Sequence, residues 1–291
     1  MQEKKQAVER LVHGLFLAMG LVTVGCVLLI TVYLVLSGLP AIREIGLWEF
    51  LFGDTWASTA SEPKFGILPF LLTSISGMAG AMIIGVPIGF FTAVYLAKAA
   101  PGGVKLVVEH VVSLLSGIPS VVYGLVGMLV LVPWVRTAFR IPDGSGLLVA
   151  ILVLAVMILP SIIKVSVTAL EAVPKEYEDA SLALGATPAE TWFKVSVPAA
   201  KSGIAAAVVL GVGRAIGEAT AVMMVAGNVA NMPSLLSSVR FLTTGIAIEM
   251  NYAAPGSLQR QALFSIGLVL FLFIMLINVL VNLVLKGDRG K

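Results

Sequence analysis

Residues 208–227 read VVLGVGRAIGEATAVMMVAG, an apolar run interrupted by two ionisable residues, Arg214 and Glu218. A membrane-spanning helix needs about 20 mostly apolar residues, so the run is long enough to cross a bilayer. A charged side chain at mid-bilayer costs about 2.5–3.5 kcal/mol on insertion scales, and both charges therefore need a reason. The stretch predicts a membrane fold and marks the first candidate site.

The composition supports a membrane protein. The chain is 58% hydrophobic and 12% charged, with a mean hydropathy of +1.02. A soluble domain carries about 45–50% apolar and about 25% charged residues. The net charge of +3 is small, which argues against nucleic acid as a partner. The single cysteine, Cys26, lies in an apolar run, so neither a disulfide framework nor a metal cluster is expected.

Six apolar segments predict membrane spans, and no strand alternation typical of a barrel occurs. The predicted spans are 11–37, 67–97, 107–133, 146–171, 203–228 and 261–285. Because backbone polar groups must pair within each span, we expect an all-α polytopic bundle. With the N-terminus inside, eleven of the 19 lysines and arginines flank the spans on the inner side and six on the outer side, which predicts cytoplasmic termini.

The chain has no tandem repeat, and we treat it as one membrane domain with an N-terminal extension. Residues 1–65 would hold the cytoplasmic tail, the first span and an outer segment, and residues 66–291 the transmembrane core. The aromatic side chains of the outer segment either form an interfacial element near the headgroups or anchor an ordinary loop, and the loop anchor is the preferred interpretation: Trp48, Phe50, Phe52 and Trp56.

Between the fourth and fifth spans, residues 171–200 read EAVPKEYEDASLALGATPAETWFKVSVPAA. We expect a helix from Pro174 or Lys175, ended by Gly185 in a left-handed cap. A second short helix would begin at Thr187, with Glu190 completing a capping box. This segment is either an amphipathic connector on the membrane or a docking surface for a cytoplasmic partner.

One pattern in this segment resembles the EAA loop of ABC importer permeases. Asp179, Ala180 and Ser181 are followed after three residues by Gly185, and after nine more by Val195-Ser196-Val197-Pro198. The family pattern has Glu and Ala where this chain has Asp179 and Ser181. The resemblance implies that Asp179, Ala180 and Gly185 belong to a coupling helix that enters a cleft of an ATP-hydrolysing subunit. We call residues 171–200 the coupling segment.

Arg214 and Glu218 allow two interpretations. Residues four apart lie on one helix face, so the two can pair as a neutral contact between helices. Alternatively both face a solvated pathway, where Arg214 receives an anion and Glu218 orients the guanidinium. Glycines 211, 213 and 217 would allow another helix or a substrate to approach closely.

Four stretches resemble phosphate-specific ABC permeases, the PstC type in particular. They are GRAIGEATAVMMVAGN at 213–228, FGILPFLLTSI at 65–75, SGIPSVVYGLVG at 116–127 and GIAIEMNYA at 245–253. The resemblance implies a MetI-like permease core that carries inorganic phosphate across a bacterial or archaeal cytoplasmic membrane. It also implies that Arg214 and Glu218 belong to the translocation path.

The same resemblance implies the partners. They are a PstB-like ATP-binding dimer, a PstA-like second permease and an extracytoplasmic PstS-like phosphate-binding protein. The chain has no G-x-x-x-x-G-K-[ST] motif, so ATP and magnesium are expected on the partner ATPase, with no cofactor on this chain. It also lacks a nucleophile–base constellation, and we do not expect an enzyme.

Other functions stay open at this point. They are a permease for sulfate or molybdate, a PstA-type subunit, an ion-coupled carrier, and a membrane enzyme that uses Glu218 or Glu249 as acid or base. Four hydroxyl residues are lower-ranked substrate contacts, because hydroxyls in membrane helices more often bond backbone: Thr73, Ser74, Ser116 and Ser120. Lys164 is expected to snorkel towards the inner interface.

Overall fold

The structure, a computed structural model, describes residues 2–287, with side chains described at residue 9 and from residue 11 to residue 279. Met1 and residues 288–291, which the predicted topology puts in the cytoplasm, lie outside the described residues. Within the described part the chain is almost entirely helical, as predicted.

The helices follow one another in this order: α1 (Gln2–Ile45), α2 (Leu47–Phe52), α3 (Leu68–Val94), α4 (Gly102–Gly117), α5 (Ser120–Val126), α6 (Val132–Phe139), α7 (Leu147–Glu171), α8 (Lys175–Ala183), α9 (Pro188–Thr191), α10 (Val197–Ala199), α11 (Lys201–Gly217), α12 (Thr220–Val225), α13 (Leu242–Glu249) and α14 (Leu258–Gly287). Wider π-helical turns are Tyr95–Ala99, Gly127–Leu131 and Trp192–Ser196. An antiparallel hairpin of β1 (Trp56–Ala57) and β2 (Lys64–Phe65) connects α2 to α3.

Five helical stretches of the described residues are long and apolar enough to cross a membrane. They are Leu11–Ile45, Leu68–Ala99, Ser120–Phe139, Leu147–Glu171 and Leu258–Val279. Four of them overlap the predicted first, second, fourth and sixth spans. The third and fifth predicted spans require correction.

The predicted span 107–133 is wrong, because the chain leaves the helix before Pro119. Helix α4 ends at Gly117, and Ile118 is extended, with φ −70° and ψ 126°. A proline disfavours helical backbone at the residue before it, so a new helix begins only at Ser120. The third candidate span therefore runs from Ser120 to Phe139. Pro133 lies in the first turn of α6, where a missing N–H breaks no helical hydrogen bond.

The predicted span 203–228 is also wrong, because it is not one continuous helix. Helix α11 ends at Gly217, and α12 begins only at Thr220. The stretch Lys201–Gly217 reaches span length only together with Pro188–Ala199, from which it is bent by 72°. This bent pair is the sixth candidate span.

Helix α7 lies at the centre of the bundle and is the most buried of the candidate spans. It packs along α3 and α11. Ile158 and Ile162 are fully buried there, because glycines at 85, 89 and 211 bring the neighbouring backbones close to them. Pro160 lies inside α7 without ending it. The position of this helix holds α11, and hence Arg214, against the core.

Helix α1 packs on α14 and leaves most of its apolar surface exposed, as contact with lipid requires. The Tyr33 and Phe264 rings meet edge to face, 5.4 Å apart between centroids. Ser265 Oγ donates a 2.6 Å hydrogen bond to the Gly38 carbonyl. The division at residue 65 stays a prediction.

Two of the four outer aromatic residues anchor the outer segment on the bundle, as the loop-anchor interpretation predicts. Phe50 is fully buried and Trp56 is 8% exposed, because α2 and the hairpin fold onto α13 and α14. Trp48 and Phe52 are exposed and stack on each other, 4.8 Å apart between ring centroids. Two aromatics therefore belong to a core that ties the outer segment to the helical bundle.

Glu249 is the hub of this outer core and is only 3% exposed. Its Oε1 accepts hydrogen bonds from Trp56 Nε1 at 2.8 Å and from Arg240 Nη1 at 2.7 Å. Its Oε2 accepts from Ser58 Oγ at 2.7 Å and from Gln259 Nε2 at 3.2 Å. One carboxylate thus links the hairpin, the α12–α13 connection and α14.

Replacing Glu249 with alanine is expected to lower the free energy of unfolding by about 3 kcal/mol, because the partly buried Arg240 loses its counter-charge and Trp56 loses its acceptor. Thermal unfolding of the purified protein in detergent measures the change. Glu62→Ala is the matched control, since Glu62 is exposed in the same outer segment. Equal unfolding temperatures for the two variants would contradict the assigned role of Glu249.

Candidate functional site

Arg214 lies in the last turn of α11 and is partly buried. Its Nη1 donates a long hydrogen bond of 3.4 Å to Ser161 Oγ on α7, and its charge acts on the nearby Tyr123 of α5. Among the described residues no ion pair includes Arg214. A guanidinium has five N–H donors in a planar fork, so most of them stay free for an oxyanion.

Glu218 lies just after the end of α11, in extended backbone with φ −75° and ψ 121°. Its Oε1 accepts a 2.9 Å hydrogen bond from the Ala221 amide in the first turn of α12. Its carbonyl accepts a 2.9 Å hydrogen bond from Thr243 Oγ1. Glu218 therefore ends one helix and supplies an acceptor to the start of the next.

The predicted pairing of Arg214 with Glu218 on one helix face is wrong. The geometry of residues four apart holds only while the helix continues, and α11 ends at Gly217, between the two. A side-chain oxygen can accept a hydrogen bond from a nearby backbone N–H, and the Glu218 carboxylate accepts one from the Ala221 amide. The break leaves the cation and the carboxylate with separate partners.

The glycines near Arg214 divide into two kinds. A side chain at Gly211 would lie 3.2 Å from Ile162, so this glycine serves the contact with α7. At Gly213 and Gly217 an added side chain would meet nothing within 4 Å. The sequence predicted that a helix or a substrate could approach at all three glycines; in the structure a helix does so at Gly211, and the surface at Gly213 and Gly217 is open.

None of the four hydroxyl residues predicted as lower-ranked contacts is the described hydrogen-bond partner of Arg214. Thr73 is fully buried and its Oγ1 has no partner, whereas Ser74 Oγ accepts the Leu242 amide at 3.0 Å. Ser116 Oγ donates to the Val112 carbonyl of its own helix at 3.1 Å. Ser120 is the first residue of α5 and is partly buried. Their role in substrate contact stays a prediction.

The coupling segment has the predicted helix–turn–helix form. Helix α8 begins after Pro174, and Gly185 adopts φ +87°, a left-handed conformation that favours glycine. Thr187 and Glu190 form the predicted capping box at the start of α9. Ser181 and Thr191 hydroxyls, 2.9 Å apart, link the two helices. The segment is therefore a defined hairpin of helices.

Glu178 attaches this hairpin to the bundle. It forms an ion pair with Lys98 at the end of the second span and accepts a 2.8 Å hydrogen bond from the buried Ser196. Burial opposes ionisation of Glu178, but the hydrogen bonds from Lys98 and Ser196 outweigh it, so the pKa of this carboxyl is lowered. Its contribution to stability is present above the ordinary glutamate range and is lost as pH falls through the lowered pKa.

The opposite face of the coupling segment is exposed and partly apolar. Asp179 and Ala180 are exposed, as is Gly185. Leu184 is 90% exposed, and further exposed apolar side chains are Tyr177, Leu182 and Phe193. The Phe193 ring lies beside the Phe91 ring of α3, 6.5 Å apart between centroids, so one of these side chains borders the second span. Docking of an ATPase subunit on Asp179, Ala180 and Gly185 stays a prediction.

The described residues hold no group of three or more His, Cys, Asp or Glu side chains that could bind a metal ion. Two polar features remain as candidates for function: the Arg214 guanidinium beside the open surface of Gly213 and Gly217, and the hairpin of the coupling segment.

A family model described as "Binding-protein-dependent transport system inner membrane component" matches residues 85–287. The chain belongs to this family. It is 41% identical over 270 residues to the probable ABC transporter permease YqgH of Bacillus subtilis, covering 90% of this chain and 87% of that protein. It is 33% identical over 291 residues to the phosphate transport system permease PstC of Haemophilus influenzae, covering 89% and 91%.

Solved structures support the fold of this permease. A chain of the MetNI methionine ABC transporter in an inward-facing conformation matches with a TM-score of 0.58 and 22% identity, covering 76% of this chain and 96% of that chain. A second crystal form of the same transporter gives a TM-score of 0.55. The predicted MetI-like helical permease fold is confirmed.

Three residues of the permease's candidate sites were not predicted from the sequence. Ser161 contacts Arg214 from a helix 53 positions away, and nothing in the local sequence indicates this contact. Lys98 meets Glu178 across 80 positions. Glu178 directly precedes the predicted Asp179, so the sequence indicated that it belongs to the coupling segment. The sequence did not indicate that its side chain contacts Lys98 and Ser196.

Thr73→Val is expected to leave the permease as stable as the parent or to raise its free energy of unfolding by about 1 kcal/mol, because a buried hydroxyl without a partner is removed. Thr244→Val is the matched control: Thr244 is equally buried, and its Oγ1 accepts the Phe241 amide at 3.0 Å. That variant is expected to lose about 1–3 kcal/mol, since the amide is left unpaired. Thermal unfolding in detergent compares them, and a marked loss for Thr73→Val would contradict the expectation.

Proposed function

We propose that this chain is the permease subunit of an ATP-driven importer of inorganic phosphate. The observation that carries the proposal is the similarity to proteins named PstC, which extends over 84–89% of this chain in relatives from Haemophilus influenzae, Pasteurella multocida and Mycobacterium tuberculosis. The open guanidinium of Arg214 supports it, since arginine binds phosphate oxygens through two parallel hydrogen bonds.

In this proposal the chain itself catalyses no reaction and binds no cofactor. ATP and magnesium bind a PstB-like ATPase dimer that docks on the exposed face of the coupling segment. A PstA-like permease completes the pathway beside the bare surface of Gly213 and Gly217. A PstS-like protein delivers phosphate from outside, and both termini of this chain lie in the cytoplasm.

Transport would depend on a difference in affinity between two states of the pathway. A pocket that binds the anion equally in both states moves nothing, so Arg214 must face phosphate more fully when the pathway is open to the outside. Helix α11 carries Arg214 and follows the coupling segment directly in the chain. Movement of that segment by the ATPase would therefore reach the cation through one helix.

Arg214→Gln is expected to lower phosphate uptake on the order of ten- to a hundredfold, because charge-assisted hydrogen bonds contribute about 1.5–3 kcal/mol. The assay is uptake of radiolabelled phosphate by cells that lack their own phosphate importers and express this chain with its partner subunits. Membrane abundance is measured for each variant. Arg43→Gln is the control, since Arg43 is an exposed arginine at the end of α1.

Normal uptake by Arg214→Gln would overturn the role of this residue. Competition by unlabelled anions tests the substrate: excess phosphate is expected to suppress the signal, and excess sulfate or molybdate is not. Uptake of radiolabelled sulfate or molybdate by the parent, with no uptake of radiolabelled phosphate, would assign the importer to that anion instead.

Gly185→Val is expected to abolish association with the ATPase subunit, because a β-branched residue disfavours the φ of +87° that the turn between α8 and α9 requires. Co-purification of the ATPase with tagged permease measures the association. Ala183→Val adds the same side chain in the last, right-handed residue of α8 and is expected to retain the ATPase. Full recovery of the ATPase with Gly185→Val would contradict docking on this hairpin.

A further inference from the structure

Lys164 is a cation in the otherwise apolar helix α7, seven positions before its end at Glu171. It is exposed, and among the described residues no ion pair includes it. A lysine within a membrane span is costly to insert unless it reaches the interface or faces a solvated space. The residues around Lys164 decide whether its side chain reaches the membrane interface or faces a solvated space.

A polar stripe on α7 connects Lys164 to the partner of Arg214. Ser161, Lys164, Thr168 and Glu171 follow each other at intervals of three or four residues, so they lie on one face of the helix. Ser161 is the residue that accepts the hydrogen bond from Arg214. With a rise of 1.5 Å per residue, Lys164 lies about 4.5 Å further along the axis towards the coupling segment.

A cavity of about 310 Å³ opens on this stripe. Lys164, Thr168 and Glu171 of α7 form one wall, and Glu109 and Ser113 of α4 form the other. One water occupies about 30 Å³ of the liquid, so the space holds an oxyanion with part of its hydration shell. Lys164 therefore lines an open cavity on the coupling-segment side of Arg214.

The other charges at this cavity leave one carboxylate in excess, because two glutamates face one lysine, and Lys164 brings the group to neutrality. Lys105 of α4 forms an ion pair with Glu171 and lies 3.9 Å from Glu109. The hydrogen bond with Glu171 is the main cause that raises the pKa of Lys105, which keeps it charged. Lys164 is thus the cation of this cavity without a carboxylate partner among the described residues.

We propose that Lys164 forms a second, weaker anion site, which receives the translocated phosphate from Arg214 before its release into the cytoplasm. This inference rests on the proposed phosphate import. Lysine is a point charge that lacks the fork of arginine, so it holds phosphate less firmly. Glu109 and Glu171 at the same cavity repel the anion, and a transport site must be weak enough for its ion to leave.

Lys164→Met separates this role from simple snorkelling. Methionine is suited to lipid, so a snorkelling lysine is replaced without loss of transport. The anion site predicts that the maximal uptake rate falls on the order of tenfold, because a hydrogen bond from a charged group is lost. The phosphate concentration at half-maximal uptake stays the same, since the external binding protein captures the substrate. Lys164→Arg retains the charge and is expected to transport faster than Lys164→Met but more slowly than the parent, because the arginine fork holds phosphate more firmly and delays its release.

The measurement uses the complete importer, with its ATPase, second permease and binding protein, reconstituted in lipid vesicles. Arg43→Met is the control for removal of an exposed cation, and equal incorporation of each variant is verified. Vesicles of phosphatidylcholine alone and vesicles with added phosphatidylglycerol distinguish the two sources of a phosphate group. An equal fall of the Lys164→Met rate in both supports a site for the transported ion.

Two results would overturn the inference while leaving phosphate import intact. One is a Lys164→Met rate equal to the parent rate beside an impaired Arg214→Gln variant. The other is a fall that occurs only with phosphatidylglycerol, which would assign Lys164 to a lipid headgroup. A parent importer that carries no phosphate would overturn the proposed function and, with it, this inference.

Discussion

The break at Glu218, between α11 and α12, is the constraint on which the candidate site depends. Irregular backbone inside a membrane is tolerated only where its polar groups find partners within the protein. Here Thr243 binds the Glu218 carbonyl, and the Glu218 carboxylate binds the amide of Ala221. Because the carboxylate is used in this way, it does not neutralise Arg214. The hydrogen bonds of Glu218 thus stabilise the break between α11 and α12 and also leave Arg214 without an ion-pair partner among the described residues.

Two carboxylates join the connecting segments to the bundle, and one of them, Glu249, is more deeply buried than the other, Glu178. At the outer end, Glu249 accepts four hydrogen bonds and joins segments nearly 200 positions apart, including the hairpin that carries Trp56. At the inner end, Glu178 has two partners and stays partly exposed. The outer end is thereby the more firmly tied of the two. The inner attachment is therefore the smaller of the two contacts.

The central position of α7 connects these features. Its most buried face packs on α3 and α11, and its open face carries the polar stripe that begins at Ser161. Glycines in the neighbouring helices allow that packing, whereas Gly213 and Gly217 leave the far side of α11 uncovered. A single helix therefore supports Arg214 from one side and supplies the polar wall of the inner cavity on another.

The sequence by itself determined the medium, the number of candidate spans and the form of the coupling segment. These depend on local properties: apolar length, the conformational freedom of Gly185, and the capping preferences of Thr187 and Glu190. Pro119 was evident in the sequence, but the sequence did not indicate that this proline would separate the two helices α4 and α5. Likewise, the aromatic residues of the outer segment were identified, while their division into core and surface was not.

Only the tertiary structure decided which charges meet. Arg214 and Glu218 are neighbours in sequence, yet they are separated because Thr243 and the α12 backbone offer Glu218 other partners. Lys98 and Glu178, Arg240 and Glu249, and Arg214 and Ser161 come together through the packing of distant helices. The physical reason is that a polar group inside an apolar bundle takes whichever partner the packed helices bring within reach, and sequence spacing specifies only partners on a continuous helix.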